Sequence, residues 1–206
     1  MSLTSGGPRD WAAYYRKTGE RPPRPTAVFA LDRFDAEPDA APRLVVDLGA
    51  GAGRDVIAFL QRGWGVIAID GEAAAADSLR ARQDLPDGAL LETRTAQFED
   101  AHWPQCDLVN SSFALPLCAP DQFVAVWEKI VGSLLPGGRF AGQLYGERDS
   151  WAGRPGMTFH TRSEVERLFA NFEIELFEEE EDDSKTPRGE TKHWHVFHVV
   201  ARLRAD

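Results

Sequence analysis

Cysteine, excess basic charge and long apolar runs are all scarce in this chain of 206 residues. The two cysteines, Cys106 and Cys118, belong to no CxxC pair, so we expect two buried thiols rather than a disulfide, and no metal site. No apolar run approaches the roughly 20 residues that a membrane-spanning helix needs. The first residues lack the basic start and apolar stretch of a secretory signal, so the expected compartment is the cytoplasm, with no membrane partner.

The charge balance is acidic, with 33 Asp and Glu residues against 23 Lys and Arg residues and a net charge of −10. A protein that grips the phosphate backbone of nucleic acid usually carries a basic stripe. The basic cluster at residues 16–24 is short by comparison. We therefore expect no nucleic-acid partner and a small-molecule substrate, bound by a monomer or a homodimer.

From about residue 43 onward, strand-like and helix-like patterns alternate, which is typical of a doubly wound α/β sheet. Short apolar runs rich in β-branched residues are typical of parallel strands buried on both faces. The predicted parallel strands are 43–48, 65–69, 89–95, 106–111 and 139–144. Two long alternating strands, 172–179 and 193–203, predict an antiparallel hairpin at the end of the chain. The acidic run 178–183 between them is interpreted as a solvated loop.

Helical spacing of apolar residues predicts the helices that connect these strands. The first predicted helix covers 55–62 and ends at Gly63, and the second is an alanine-rich helix at 72–83. The third is capped by Asp121, ends at Pro136-Gly137-Gly138 and carries the apolar residues Val124, Trp127, Val131 and Leu134. A capping box at Thr161 to Glu164 predicts the start of a fourth helix. The chain is thus divided into a helical extension at residues 1–41 and one α/β domain at residues 42–206.

The most informative segment is a glycine-rich turn between the first strand and the first helix of the domain. Its glycines Gly49, Gly51 and Gly53 give the spacing GxGxG, whereas a dinucleotide fingerprint reads GxGxxG and would need glycine where Arg54 stands. Glycine permits positive φ and lets a ligand approach the main chain closely. Asp70, at the end of the next strand, is placed to accept two hydrogen bonds from ribose hydroxyls. The glycine-rich turn and Asp70 together predict a site for a nucleoside that carries a polar tail.

These motifs resemble those of the class I S-adenosylmethionine-dependent methyltransferases. The resemblance rests on DLGAGAGRD at 47–55, AID at 68–70, CDLVNSSFAL at 106–115 and LLPGGRFAG at 134–142, and it covers residues 43–203. It implies a seven-stranded, mostly parallel, Rossmann-like sheet with an antiparallel C-terminal hairpin. The ending KHWHVFHVVARL and the GRD after the glycines look most like the tellurite-resistance-type and thiopurine-type branch, which acts on small molecules.

The resemblance also implies which residues hold the cofactor, S-adenosyl-L-methionine. The glycines would line its methionine end, Asp47 would lie near its amino group, and Asp70 would hold the ribose. The full set of predicted cofactor-binding residues is Asp47, Gly49, Gly51, Gly53, Arg54, Asp70, Gly71, Ala96, Gln97, Phe98, Asn110 and Ser111. Asn110 opens the segment Asn-Ser-Ser-Phe, which lacks the two prolines of the Asn-Pro-Pro-aromatic motif of nucleic-acid and protein amino-methylating relatives, so no such substrate is inferred.

Candidate catalytic residues are Asn110, Tyr145 at the end of the fifth strand, and His160 in the loop that follows it. Candidate substrate-binding or lid residues are the aromatic and basic group Trp11, Tyr14, Tyr15, Arg16 and Phe113. Gln143 can also reach the pocket, whereas the histidines of the last strand are interpreted as structural. Two alternatives stay open at this point: a nucleotide-dependent oxidoreductase that uses NAD or NADP, and a catalytically inactive S-adenosylmethionine-binding module.

Overall fold

The computed structural model describes residues 15, 18–19, 21–38, 42–186 and 189–205. Its strands are β1 (Leu44–Leu48), β2 (Gly65–Asp70), β3 (Leu91–Thr95), β4 (Cys106–Ser111), β5 (Leu134–Gly146), β6 (Phe159–His160), β7 (Phe172–Lys185) and β8 (Thr191–Leu203). Its helices are α1 (Pro25–Asp35), α2 (Val56–Gln61), α3 (Ala73–Arg80), α4 (Pro120–Ser133) and α5 (Arg162–Leu168).

The strands form one sheet in the order β3-β2-β1-β4-β5-β8-β7, and the short strand β6 pairs with the end of β5. Neighbours from β3 to β5 are parallel, and β8 runs antiparallel between β5 and β7. The predicted doubly wound sheet with an antiparallel hairpin is therefore confirmed, with β6 as an eighth strand that the sequence did not indicate. Because parallel strands share an edge, the carboxyl ends of β1, β2, β4 and β5 lie together.

Apolar side chains alternate between two cores, one on each face of the sheet. Helices α1, α2 and α3 cover one face, called the α1 face here, where Phe34 and Phe59 pack on Val45, Leu108 and other strand residues. Helices α4 and α5 cover the opposite face, called the α4 face. Residues that precede or follow Val45 by two positions along β1 share its face, so the side chain of Asp47 belongs to the α1 face.

A buried ion-pair network fastens the end of α1 to the sheet. Arg139 on β5 is 2% exposed, and its guanidinium bonds both carboxylate oxygens of Glu175 on β7 at 2.7 and 3.0 Å. A further nitrogen bonds Glu37, just beyond α1, at 2.7 Å. The guanidinium also lies 4.2 Å from the ring centre of Phe34 on α1. This network anchors the C-terminal end of α1 to β5 and β7.

Two element predictions were wrong. Helix α4 begins at Pro120 after the N-cap Ala119, and its buried face is Phe123, Val126, Trp127 and Ile130, whereas Val124 is 64% exposed. The helix ends at Ser133, and the Pro-Gly-Gly segment lies inside the long strand β5. The apolar residues on both sides of the helix allowed either face, and contact with the sheet selected the one that carries two aromatic rings.

The acidic run at residues 178–183 was predicted as a loop and is instead part of strand β7. Its carboxylates are paired across the hairpin, where Glu179 bonds His195 and Asp183 bonds His193, at 2.9 and 2.8 Å. Polar pairs across strands favour pairing, so a run of acidic residues can form a strand when its partner strand supplies hydrogen-bond donors. The pKa of His193 is raised chiefly by the hydrogen bond that its ring donates to Asp183.

Both cysteines are buried and free, as expected. Burial raises the pKa of Cys106 to about 12 and that of Cys118 to about 11. A thiol acts as a nucleophile through its thiolate, so neither cysteine is suited to catalysis near neutral pH.

Candidate functional site

The turn between β1 and α2 has a backbone that only glycine adopts easily. Gly49, Gly51 and Gly53 have φ values of 76°, 53° and 80°, in the left-handed region. A Cβ at Gly49 would overlap Ala114, which follows β4, and a Cβ at Gly53 would overlap Leu79 of α3. The glycines therefore bring the main chain close to both neighbouring segments.

Asp70 ends β2 and holds this turn in place. Its carboxylate accepts hydrogen bonds from the N–H of Gly51 at 2.8 Å and from the N–H of Glu72 at 2.9 Å. The hydroxyl of Tyr15 donates a third bond at 3.1 Å, and the Tyr15 ring lies over Gly51. Tyr15, a predicted lid residue, is thus in contact with the predicted ribose-binding carboxylate. Trp11, Tyr14 and Arg16, the other N-terminal candidates, lie outside the described residues.

Two buried carboxylates meet at the carboxyl ends of β1 and β4. The amide nitrogen of Asn110 donates to Asp47 at 2.8 Å and to Asp55 at 3.2 Å. Burial raises the pKa of Asp47 well above its ordinary value, the charge of Asp55 raises it further, and the bond from Asn110 opposes both. Asp55 also accepts the backbone N–H of Arg24 at 2.7 Å, which joins the turn to the start of α1. The amide oxygen of Asn110 is buried without a hydrogen-bond partner among the described residues.

The predicted adenine-binding residues lie beside the same turn. A Cβ on Gly71 would contact the amide of Gln97, and the ring of Phe98 lies 3.8 Å from the Cβ position of Gly49. Ala96 donates its backbone N–H to the backbone carbonyl of Asp70 at 3.0 Å. Ser111 is engaged in the fold instead, since its hydroxyl donates to Leu48 and accepts the N–H of Leu115.

An aromatic group lies beyond the ends of β4 and β5. It consists of Phe113, Tyr145, Trp151 and Trp194 and is called the aromatic cluster here, with ring centres 5.9–6.4 Å apart. The buried ammonium of Lys192, paired with Asp149, lies 3.7 Å from the ring centre of Trp194. Tyr145, a predicted catalytic residue, is part of this cluster and 3% exposed.

His160 lies on the other side of the sheet from these residues. Its neighbour Phe159 contacts Tyr145, but its own ring packs on Phe123 of α4, with ring centres 4.6 Å apart. Burial lowers the pKa of His160. The structure therefore separates His160 from Asp47 and Asn110 on the α1 face, and gives no geometric support for its predicted catalytic role.

Two polar residues that the sequence analysis did not assign to the site, Asp55 and Thr26, complete the polar group on the α1 face together with Gln143, which was expected to reach the pocket. Asp55 bonds Asn110, Gln143 on β5 accepts the N–H of Phe113 at 3.0 Å, and the amide of Gln143 donates to Thr26 of α1 at 2.9 Å. Their contacts join segments that are distant in sequence. The spacing Gly53-Arg54-Asp55 was the one local signal, because it put a carboxylate at the start of a helix beside the turn.

A model of the methyltransferase domain family matches residues 45–138, which contain the glycine turn, Asp70 and Asn110. This segment is therefore similar to a methyltransferase domain, in line with the motifs that resemble those of the class I S-adenosylmethionine-dependent methyltransferases. The chain is 31% identical over 140 residues to trans-aconitate 2-methyltransferase of Rhodopseudomonas palustris (strain BisB5), and this match covers 66% of the chain and 50% of that relative. The chain thus spans about half the length of the curated relative it matches.

Solved structures agree in fold at low sequence identity. TehB from Haemophilus influenzae has a TM-score of 0.70 at 15% identity, over 84% of this chain and 62% of TehB. The 1,6-didemethyltoxoflavin-N1-methyltransferase of Burkholderia thailandensis, with bound S-adenosylhomocysteine, has a TM-score of 0.67 at 20% identity, over 94% of this chain and 81% of that enzyme. The match to a methyltransferase domain does not favour the oxidoreductase alternative. Among the described residues, no helix is long and apolar enough to cross a membrane.

Proposed function

We propose that this chain transfers the methyl group of S-adenosylmethionine to a small-molecule acceptor. The observation that carries the proposal is the run of three left-handed glycines with a carboxylate on each side, Asp47 and Asp70. The two relatives whose substrates are named, trans-aconitate 2-methyltransferase and the toxoflavin enzyme, both act on small molecules and support the same class of acceptor.

The residues of the turn fit the cofactor by their chemistry. A methionine tail carries an ammonium group that only donates hydrogen bonds. Asp47 offers a buried acceptor for it, as does the amide oxygen of Asn110, which has no hydrogen-bond partner in the described part of the chain. The carboxylate of Asp70 suits the two ribose hydroxyls, which would take the place of the Tyr15 hydroxyl. Gly71, Ala96, Gln97 and Phe98 would border the adenine.

Bound S-adenosylmethionine supplies an electrophilic methyl group on a positively charged sulfur. The contribution of the chain is to hold the acceptor in line with that methyl group and to exclude water, and alignment of this kind is worth about 7–11 kcal/mol in well-oriented models. We include the N-terminal extension, residues 1–41, in this role, because Tyr15 lies over Gly51 and the side chain of Arg82 bonds the carbonyls of Gly19 and Ala52.

The test is cofactor binding by thermal shift and calorimetry, with Asp70→Asn compared with Asp77→Asn, an exposed aspartate on α3. S-adenosylhomocysteine should stabilise the wild type and Asp77→Asn, while NAD and NADP should not. Asp70→Asn should weaken binding by about 10-fold or more, since a hydrogen bond to a charged group contributes about 1.5–3 kcal/mol. The absence of any shift with millimolar S-adenosylhomocysteine, or equal affinity of the two variants, would contradict the proposal.

A further inference from the structure

The aromatic cluster adjoins the cofactor turn through the segment that follows β4. Asn110 contacts Asp47, Ala114 packs on Gly49, and Phe113 lies between them in sequence. Phe113 has a φ of 57° and is the one non-glycine residue with positive φ in the described part of the chain. The left-handed conformation costs about 1–2 kcal/mol for such a residue, and strain of this kind is often found at ligand sites. In this protein the left-handed conformation places the Phe113 ring in the aromatic cluster.

The cluster is only partly covered by protein. Phe113, Trp151 and Trp194 are each half-buried, so parts of three rings remain at the surface beside the carboxyl ends of β4 and β5. Rings of this kind pack well against another flat aromatic ring. The guanidinium of Arg24 lies 4.2 Å from the ring centre of Phe113 and adds positive charge at the same place. The surface therefore suits a planar ring that becomes negatively charged.

His198 of β8 lies at the edge of this surface and has the arrangement of a general base. Its ring centre is 6.0 Å from that of Phe113, and its Nε2 is 2.8 Å from a carboxylate oxygen of Glu180. This pairing assigns the proton to Nε2 and leaves the lone pair on Nδ1. The amide nitrogen of Gln143 lies at a long 3.4 Å from Nδ1, and this nitrogen has a closer partner in the hydroxyl of Thr26 at 2.9 Å.

The charged groups around His198 are Glu180 and Glu178 on β7 and Arg24 ahead of α1, while β5 contributes the neutral Gln143. A carboxylate that bonds one imidazole nitrogen stabilises the imidazolium formed when the other nitrogen takes a proton. A hydroxyl on an aromatic ring has a pKa of about 10 and needs such a base near neutral pH. A thiol, with a pKa of about 8.5, ionises with less help.

We infer that the acceptor is a hydroxyaromatic molecule that stacks on the aromatic cluster, and that His198 removes its hydroxyl proton; this inference rests on the proposed methyltransferase function. In the step, the acceptor oxygen forms a bond to the methyl carbon while the carbon–sulfur bond breaks. The bonding electrons stay on sulfur, which leaves as a neutral thioether, and the hydroxyl proton passes to Nδ1 of His198. Glu180 and Gln143 are positioning residues for the imidazole.

The experiment measures S-adenosylhomocysteine formation with a series of phenols whose hydroxyl pKa ranges from about 10 down to values below the assay pH. The variants are His198→Asn and, as a matched control on the same strand, His193→Asn, whose ring bonds carboxylates far along the hairpin. We expect His198→Asn to lower kcat by about 100-fold or more for the least acidic phenols. For phenols that are already ionised it should lower kcat by less than about threefold, and His193→Asn should resemble the wild type throughout.

A second readout does not depend on turnover. When phenol is added to protein saturated with S-adenosylhomocysteine, the side-chain nitrogen signals of His198 should shift in NMR and tryptophan fluorescence should be quenched. Unchanged cofactor affinity in His198→Asn shows that the variant is folded. Equal loss of kcat across the phenol series would overturn the role of His198 as a base.

Failure to bind or methylate any phenol, while S-adenosylhomocysteine still binds, would overturn the inferred acceptor class and leave the proposed methyltransferase function standing. Methylation of trans-aconitate or of thiols in place of phenols would have the same meaning. If S-adenosylhomocysteine itself does not bind, the proposed function fails, and the inference fails with it.

Discussion

The affinity of the protein for S-adenosylhomocysteine should increase with pH through the titration of Asp47. Burial and the nearby charge of Asp55 raise the pKa of Asp47 well above the usual 3.8, so the protein without cofactor holds a proton on this carboxyl in a range where an exposed aspartate has lost it. A bound ammonium group favours the ionised carboxylate. Cofactor binding should therefore release this proton below the raised pKa and release none above it.

The size of the effect follows from the contact. A charge pair at about 4 Å in a medium of effective dielectric constant 20 has an interaction energy of about 4 kcal/mol, from which the cost of removing both groups from water is subtracted. A charge-assisted hydrogen bond retains about 1.5–3 kcal/mol, or about a 10- to 150-fold change in Kd. Asp47→Asn should lose this much affinity at pH values where the wild-type carboxyl is ionised, and less at lower pH.

The same carboxyl makes the protein without cofactor less stable as pH rises. Between 3.8 and its raised pKa, Asp47 is ionised in the unfolded chain and protonated in the folded one, so the unfolded state binds fewer protons and the free energy of unfolding falls with pH. Asp47→Asn should remove this part of the pH dependence, as seen in urea unfolding at several pH values.

Calorimetry in buffers of different ionisation enthalpy measures the released proton directly. The wild type should release up to one proton for each S-adenosylhomocysteine bound at low pH, and Asp47→Asn should release none from this site. Asp77→Asn, on the exposed surface of α3, is the control for a general change of charge. An identical pH dependence of Kd in the wild type and Asp47→Asn would refute the assignment of the ammonium to this carboxylate.

Two further predictions, which use three substitutions, test the packing that supports the site. Glu175→Ala removes the carboxylate that bonds buried Arg139 through both oxygens, and it should lower the free energy of unfolding, measured in urea, by about 3 kcal/mol. The loss should be no larger than this because Glu37 still contacts the guanidinium. Gly53→Ala and Gly63→Ala both place a Cβ at a φ near +80°, but only the first would overlap another side chain, that of Leu79. Gly63→Ala should cost about 1–2 kcal/mol and Gly53→Ala about 1–3 kcal/mol more, and equal thermal stability of the two variants would show that the contact with α3 is not tight.

The glycine turn and the positions of the parallel strands could be predicted because their causes are local. Positive φ at alternate positions leaves glycine as the suitable residue, and β-branched runs separated by helices specify a parallel sheet whose strand ends meet. The face of α4 could not be predicted in the same way, because Val124 and Phe123 fit helical spacing equally well and only contact with the sheet decides between them. The acidic run was misread for the same reason, since its pairing with His193 and His195 depends on the partner strand.

The contacts within the site that could not be predicted from the sequence are those that depend on register across the sheet. Asp47 on β1 is opposite Asn110 on β4, and Gln143 on β5 is opposite His198 on β8, so each of these strands contributes one polar side chain to the α1 face. Parallel strands bring only their carboxyl ends to this edge. Because β8 runs antiparallel, its first half lies there instead, and a histidine near the end of the chain comes to lie beside the segment that follows β4. The hairpin therefore does more than close the sheet, since it places a base at an edge where the parallel strands supply carboxylates and amides.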